Sequence, residues 1–402
     1  MSTFGSRLRA LRVERGLSQG QVGNDTYSAS YISHLESGRR RATADLIAFL
    51  AERLGVTTDA LEDVADSDSE ATRDASRAAS ELRMLAAVAA HDHAAIIAAA
   101  DSPYLLPAAE DSDGWWGTKW LKAEAQLATE EHDGCLETVQ ELLASPLVAV
   151  SPELRSAALA LGSRASRASG RLVESLSSAT EAVSSAFLSG SATRKANALR
   201  EQIAAFAELG RNSEAASAAE ELSAIRADLV EAQVIGLVAW TLGNVAFLGG
   251  DVEAGIREHA IAADTLRPES DLRLWARFHK ASAAMRISAG CEIEVEHYLD
   301  LAGQGLVLVG NASDNAELEL LRAERTVNSD PAAALEHIAR AFSIATLPDH
   351  AVAEGEIQRS LAFENMGDTE NARAALVSAA THFDAAGADR RSAEIWRRLA
   401  GA

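Results

Sequence analysis

Glycines recur at Gly170, Gly210, Gly250 and Gly290, forty residues apart each time. A fixed period of that length marks one supersecondary unit copied along the chain, and it restricts the fold to architectures in which neighbouring copies stack. Each glycine separates two long stretches with helical apolar periodicity, so the unit is helix, turn, helix. Ser329 and Gly367 stand in the equivalent places further on. Five residues past these points come Ser175, Ala215, Gly255, Val295, Ala334 and Ala372, and twelve past them Ala182, Leu222, Ala262, Ala302, Ala341 and Ala379. Most are small, which lets paired helices approach closely. Residues 113–145 read as an earlier, looser copy around Gly134, and Arg390–Leu399 as a capping helix. Six to seven repeats are expected in all.

The stretch GLVAWTLGNVAFLGGDVEAGIREHAIAADTLRP, residues 236–268, resembles a tetratricopeptide repeat, with Leu242, Gly243, Gly250, Ala262 and Pro268 near the expected spacing. The resemblance implies a right-handed superhelix. Spacings near forty exceed the ~34 residues of the standard repeat, so the helices are longer; a HEAT-type solenoid shares the ~40 period and stays open as an alternative. In tetratricopeptide arrays the first helix of each repeat lines the concave face. Ending that helix at each glycine puts Arg164, Arg167, Asn197, Arg200, Trp240, Asn244, Arg277 and Lys280 on that face. Five of these eight are basic, in a stretch that is otherwise acidic. Such a strip suits a short peptide or other small anionic ligand. The two asparagines suit an extended peptide backbone, and Trp240 an apolar platform. The bland alternative is that each Arg neutralises a neighbouring Glu and that Trp240 fills space between helices.

Charge separates a head from this array. The chain carries a net charge of −22, yet residues 1–64 hold eight Arg against eight Asp or Glu. The acidic excess lies beyond the head and repels phosphate, which leaves the head as the only surface suited to DNA. Local signals divide that head into five short helices. Phe4, Leu8 and Leu11 share one face of the first, which Gly16 can end. Ser18 and Gln21 form a capping box for a second, from Gln19 to about Asn24. Ser28 caps a third carrying Ile32 and Leu35 inward and stopping at Gly38. Thr43 caps a fourth that Gly55 closes, and Thr57 or Thr58 a fifth running through Leu61.

The run LSQGQVGNDTYSASYISHLESGRRR, followed by LIAFLAERLGVTTDAL, resembles the Cro/repressor-type (XRE) helix-turn-helix family over about residues 4–64. One departure is the turn NDTYSAS, which is about one residue short and lacks the usual glycine. It leaves the register of the third helix open by one residue. The resemblance implies double-stranded DNA as a partner. Gln19 would donate to a phosphate, and Ala29, Ser30, Ser33 and His34 would face base edges in the major groove. Arg39, Arg40 and Arg41 would hold the backbone or probe the minor groove. Arg12 and Glu36 match a structural ion pair of that family.

The fold class expected is therefore all-α: a five-helix DNA-binding domain at 1–64, a polar linker at 65–74 and a tetratricopeptide-like α-solenoid at 75–402. A helix-turn-helix head before such repeats resembles the peptide-sensing (RRNPP-type) quorum regulators. That resemblance implies a cytoplasmic homodimer whose repeats bind a peptide that modulates DNA binding. The alternative is an interaction protein whose repeats dock a protein partner while the head binds DNA independently of any ligand. No P-loop, G-x-S-x-G or H-E-x-x-H motif points to an enzyme, and no cofactor is implied. His91-Asp92-His93 reads as a solvated helix start rather than a metal site. Cys135 and Cys291 read as reduced thiols. No run reaches the roughly 18 apolar residues of a membrane span. Arg390-Arg391 and Arg397-Arg398 read as a solvated helix face or part of a dimer interface.

Overall fold

In the computed structural model of the chain, residues 4–24, 26–38, 40, 42–61, 70–105 and 112–401 are described; they form helices and turns, with no strand among them. The chain divides into two compact units, Met1–Arg83 and Met84–Ala402.

The first unit opens with α1 (Phe4–Glu14), α2 (Gln19–Gly23), α3 (Ala29–Glu36), α4 (Ala44–Leu54) and α5 (Thr58–Leu61). The expected caps do their work. Ser18 accepts from the Gln21 N–H while Gln21 reaches back to the Ser18 N–H, which closes the capping box. Ser28 caps α3 by accepting from the Tyr31 N–H, and Thr43 caps α4. Each satisfies a backbone donor that the first helical turn leaves unpaired. Leu8, Val22, Ile32, Leu35, Leu46, Leu50, Leu54 and Leu61 form one fully buried core. The turn between α2 and α3 manages without the usual glycine because Asn24 takes the left-handed conformation (φ +46°), which Asn tolerates better than most residues.

Next comes α6 (Glu70–Ala89), within which the division between the units falls. The linker expected at 65–74 is thus helical over its last five residues. The segment Glu70–Asp74 is polar but has no Gly or Pro, and Ala, Glu and Arg favour helix, so composition alone does not interrupt it. Residues 65–69 lie outside the described residues.

The second unit continues with α7 (His93–Ala100), α8 (Ser112–Ala128), α9 (His132–Ala144), the short α10 (Pro146–Val150), α11 (Pro152–Ala168), α12 (Leu172–Ser189), α13 (Ala192–Glu208), α14 (Asn212–Ala224), α15 (Ala232–Leu248) and α16 (Val252–Thr265). It ends with α17 (Leu272–Ser288), α18 (Val295–Val309), α19 (Ala312–Thr326), α20 (Pro331–Ile344), α21 (Asp349–Asn365), α22 (Thr369–Ala385) and α23 (Asp389–Gly401). Seven antiparallel pairs run from α8/α9 and α11/α12 through to α21/α22, and α23 packs on α22 as the capping helix.

The forty-residue period is a period of helix ends. At Gly170 the residue adopts φ +79° and the next N–H, from Arg171, reaches back to the Ser166 carbonyl at 2.8 Å. The same closure recurs at Gly210, Gly250, Gly290 and Gly367. This motif needs a left-handed residue, which glycine supplies without a Cβ penalty. Two expectations are corrected here. Gly134 lies inside α9; the left-handed residue of that pair is Glu130 (φ +66°), and His91 (φ +52°) plays the part between α6 and α7. Ser329 is not left-handed, because Asp330 and Pro331 start α20 directly as cap and first helical residue.

The first helices of successive pairs pack along one another, α11 on α13, α13 on α15 and so on to α21. Their shared face is the inner wall of the spiral. The spiral also touches itself. Glu130, in the α8/α9 turn, accepts the Ser313 N–H of α19 at 3.1 Å, and Arg273 of α17 donates to the Ala128 carbonyl at 3.1 Å. Gly170 lies against Pro348 at the start of α21, and Gly210 against Arg391 of α23. From α8/α9 to α19, from α11/α12 to α21 and from α13/α14 to α23, each contact returns after five pairs. Leu172 and Leu209 seal the closure by packing into one apolar cluster with Phe383, Ile395 and Leu399.

Candidate functional site

On α3, Ile32 and Leu35 are fully buried, which turns the opposite face outward. Ala29 and Ser30, at the helix start, are exposed there, and Ser33 and His34, one turn on, are half-buried. Arg40 is exposed, with its guanidinium 4.9 Å over the Tyr31 ring. Arg39 and Arg41 lie outside the described residues. Arg12 and Glu36 form the expected ion pair, with two contacts of 2.5 and 3.1 Å, and Arg12 also donates to the Leu17 carbonyl. Burial pushes the Glu36 carboxyl up, but the bonds from Arg12 and Gln19 outweigh it and hold the group below the usual carboxylate range. Gln19 donates to Glu36 at 2.8 Å. Its amide is therefore oriented from within, with one of its two N–H groups engaged by Glu36.

The inner wall of the array gathers most of the other expected residues, together with acidic partners of the kind the bland alternative had, though it named none of them. Arg164 donates to Glu124 at 2.8 Å, and Arg167 to Glu208 at 3.0 Å. Both side chains keep about a third of their area open to solvent (35% and 31%), so the interior is enclosed but wet. Burial works against both charges, and neighbouring carboxylates outweigh it and raise both guanidinium pKa values. Arg277 binds Asp314 at 2.6 Å, and Lys280 reaches both Asp314 and Glu317. Burial pushes Asp314 up, yet Arg277, Lys280 and Arg273 together bring it down to about 2.

Arg200 differs. Its bonds go to the neutral oxygens of Thr241 (3.3 Å) and Asn197 (3.4 Å), and no carboxylate pairs with it among the described residues. Burial lowers its pKa, Glu201 opposes that, and Arg164 and Arg167 add to the lowering, to about 10.

The two polar and aromatic expectations fare differently. Asn244 accepts from His259 Nε2 at 3.0 Å, while His259 Nδ1 accepts from the fully buried Arg286. Asn244 is thereby held within its own helix pair. Burial and then Arg286 pull the His259 imidazole down to about 3, so it stays neutral. Trp240 packs edge-on to Phe278 in the apolar cluster between α15 and α17. It is partly buried there, and its indole N–H has no hydrogen-bond partner among the described residues. Arg390 and Arg391 are taken up inside the chain: Arg390 by Glu214, Arg391 by Glu354 and the Phe383 ring.

The missed carboxylates had a signal. Arg164 and Glu124 are 40 residues apart, Arg167 and Glu208 41, Arg273 and Asp314 41, and Lys280 and Glu317 37. Opposite charges one repeat length apart face each other across adjacent first helices. A hollow of about 330 Å³ between α9, α11 and α12 contains none of the expected residues.

The folded chain is thus a helix-turn-helix domain joined to a tetratricopeptide-like array of helix pairs. Residues 3–64 match the family described as a helix-turn-helix domain. No curated protein matches the sequence. Among solved structures, the array's fold is shared with a Rap protein complexed with Competence and Sporulation Factor, at 10% identity and a TM-score of 0.54 over 99% of both chains. It is shared also with the Rap conjugation gene regulator of the plasmid pLS20 in complex with the Phr* peptide, at 13% identity and a TM-score of 0.55 over 97% of both chains.

Proposed function

We propose that the chain is a sequence-specific, DNA-binding transcription regulator of the cytoplasm, acting as a homodimer, whose array binds a short peptide that modulates DNA binding. The head supplies a reading helix whose short outward side chains suit base edges, backed by Arg40 for the phosphate backbone. The observation that carries the ligand half is Arg200, a cation on the inner wall with neutral partners only. A peptide carboxylate would complete it. The two Rap structures, described with the Phr* peptide and with Competence and Sporulation Factor, support this at the level of fold. A ligand acts only by favouring one conformation of the array over another.

A second reading has one observation in its favour. Val307 and Leu308, at the end of α18, expose 75% and 74% of their surface, which suits docking of a protein partner.

The test is selection and sequencing of DNA fragments bound by the purified full-length chain at about physiological salt. An enriched inverted repeat, with occupancy that changes on adding peptide, is the expected result. Enrichment that no peptide alters would favour the second reading. No enrichment with or without peptide would sink DNA reading altogether.

A further inference from the structure

Among the described residues, two charged side chains of opposite sign on first helices stand without an ion pair. One is Arg200 of α13. The other is Glu324 of α19, which has no hydrogen bond or ion pair among the described residues. Glu324 lies 160 residues beyond Arg164 and 200 beyond Glu124, four and five whole periods, so it occupies the same position of its helix as that inward-facing pair. The charge that acts on it is another carboxylate, Glu354 of α21, which is already bound by Arg391.

We propose that the interior selects a dipolar peptide, with a carboxylate taken by Arg200 and an ammonium or guanidinium group taken by Glu324 on the facing wall. This rests on the reading of the interior as a ligand site, and it changes the expected ligand from simply anionic to one that carries both signs. Three of the five pairs in a turn separate α13 from α19, which sets the two groups on opposite sides of the spiral.

Each group stands in an environment hostile to its own charge. Arg200 sits beside Arg164 and Arg167, and its pKa falls to about 10. Burial, and then Glu354, push the Glu324 carboxyl up to about 7. An uncompensated charge in a partly shielded interior is costly, whereas the same charge in a hydrogen-bonded pair is among the stronger polar contacts available. A ligand carrying both signs at the right separation relieves both sites at once. One carrying only a carboxylate leaves Glu324 as it was.

The experiment uses the full chain and four mixtures of random pentapeptides built from neutral residues and acetylated at the N-terminus. The first has one Lys or Arg and a free C-terminal carboxyl. The second has the base but a C-terminal amide, the third the free carboxyl but no base, and the fourth neither. Melting temperature and calorimetric affinity are read for each. The first mixture is expected to bind, and loss of either charge to weaken binding by about tenfold, the scale of one charge-assisted contact. Arg200→Gln should abolish the penalty for amidation alone, and Glu324→Gln the penalty for losing the base alone. Without peptide, both variants should melt at or above the parent temperature, since each loses an unpaired charge; this separates a binding role from a merely structural one. If peptides with a carboxylate and no base bind as tightly, and Glu324→Gln changes nothing, the dipolar inference falls while peptide sensing stands. If no mixture binds, the reading of the interior as a peptide site falls with it.

Discussion

At the scale of single residues, Glu36 does the most in the head. It ties α1 to α3 through Arg12 and orients Gln19 at the start of α2. With the carboxyl only 5% exposed, Arg12→Ala leaves a buried charge half-answered. A loss on the order of 3 kcal/mol is expected in urea unfolding of the head. Because Glu36 is held below its unfolded pKa, its contribution is complete above about pH 4.5 and fades as pH falls through the lower folded value. Unfolding midpoints measured down an acid series should therefore drop more steeply for the parent than for Glu36→Gln. On α3, Ser33→Ala or His34→Ala should change base preference at one operator position by about 1–3 kcal/mol, while Arg40→Ala weakens binding to all sequences alike; comparison of selected DNA pools checks this. The head was legible at this scale because caps and apolar spacing act within a few residues. The Asn24 turn was the part that local rules left open, since any residue tolerant of a left-handed backbone could close it.

At the scale of elements, the helix pairs declared themselves through the residue that ends the first helix. Where that residue is glycine the period is visible; where it is Glu130 or His91 it is not, although the backbone does the same thing. A left-handed glutamate costs about 1–2 kcal/mol relative to glycine. Glu130 is kept in that conformation while its carboxylate holds the start of α19. Glu130→Gly should relieve the backbone and yet destabilise the array slightly, since a charged hydrogen bond worth about 1.5–3 kcal/mol is lost. Hydrogen exchange checks it: the Ser313 amide should exchange faster in the variant while amides inside α8 and α9 do not. The inner wall was half legible. Its cations were found by position, but Asn244 turned to its own helix pair and Trp240 packed on the next first helix, because a first helix meets both neighbours with adjoining faces. The carboxylates were missed because they sit one repeat away, beyond the reach of any local pattern.

At the scale of the whole array, closure after five pairs was not legible at all. It depends on small rotations between neighbours that no side chain states singly. Open repeat arrays gain stability from nearest neighbours only and can fray from either end. Here Phe383, fully buried, belongs to a cluster that joins Leu172 and Leu209 to the last helices. Phe383→Ala is expected to cost about 3–5 kcal/mol and to lower one common calorimetric transition of the array. A separate early transition confined to the C-terminal helices would show that the seam carries little of that load.

The self-contacting spiral also bears on how such a chain can change in length. Repeat proteins ordinarily grow and shrink by duplication, because an extra unit only lengthens the stack. Insertion of one unit between α14 and α17 would carry the start of α19 a fifth of a turn past Glu130, Pro348 past Gly170 and Arg391 past Gly210, so every cross-contact would be mismatched at once. The interior of the array is in that sense quantised. Its number of units is fixed by geometry, and its history is expected to be one of substitution within repeats rather than gain or loss of them.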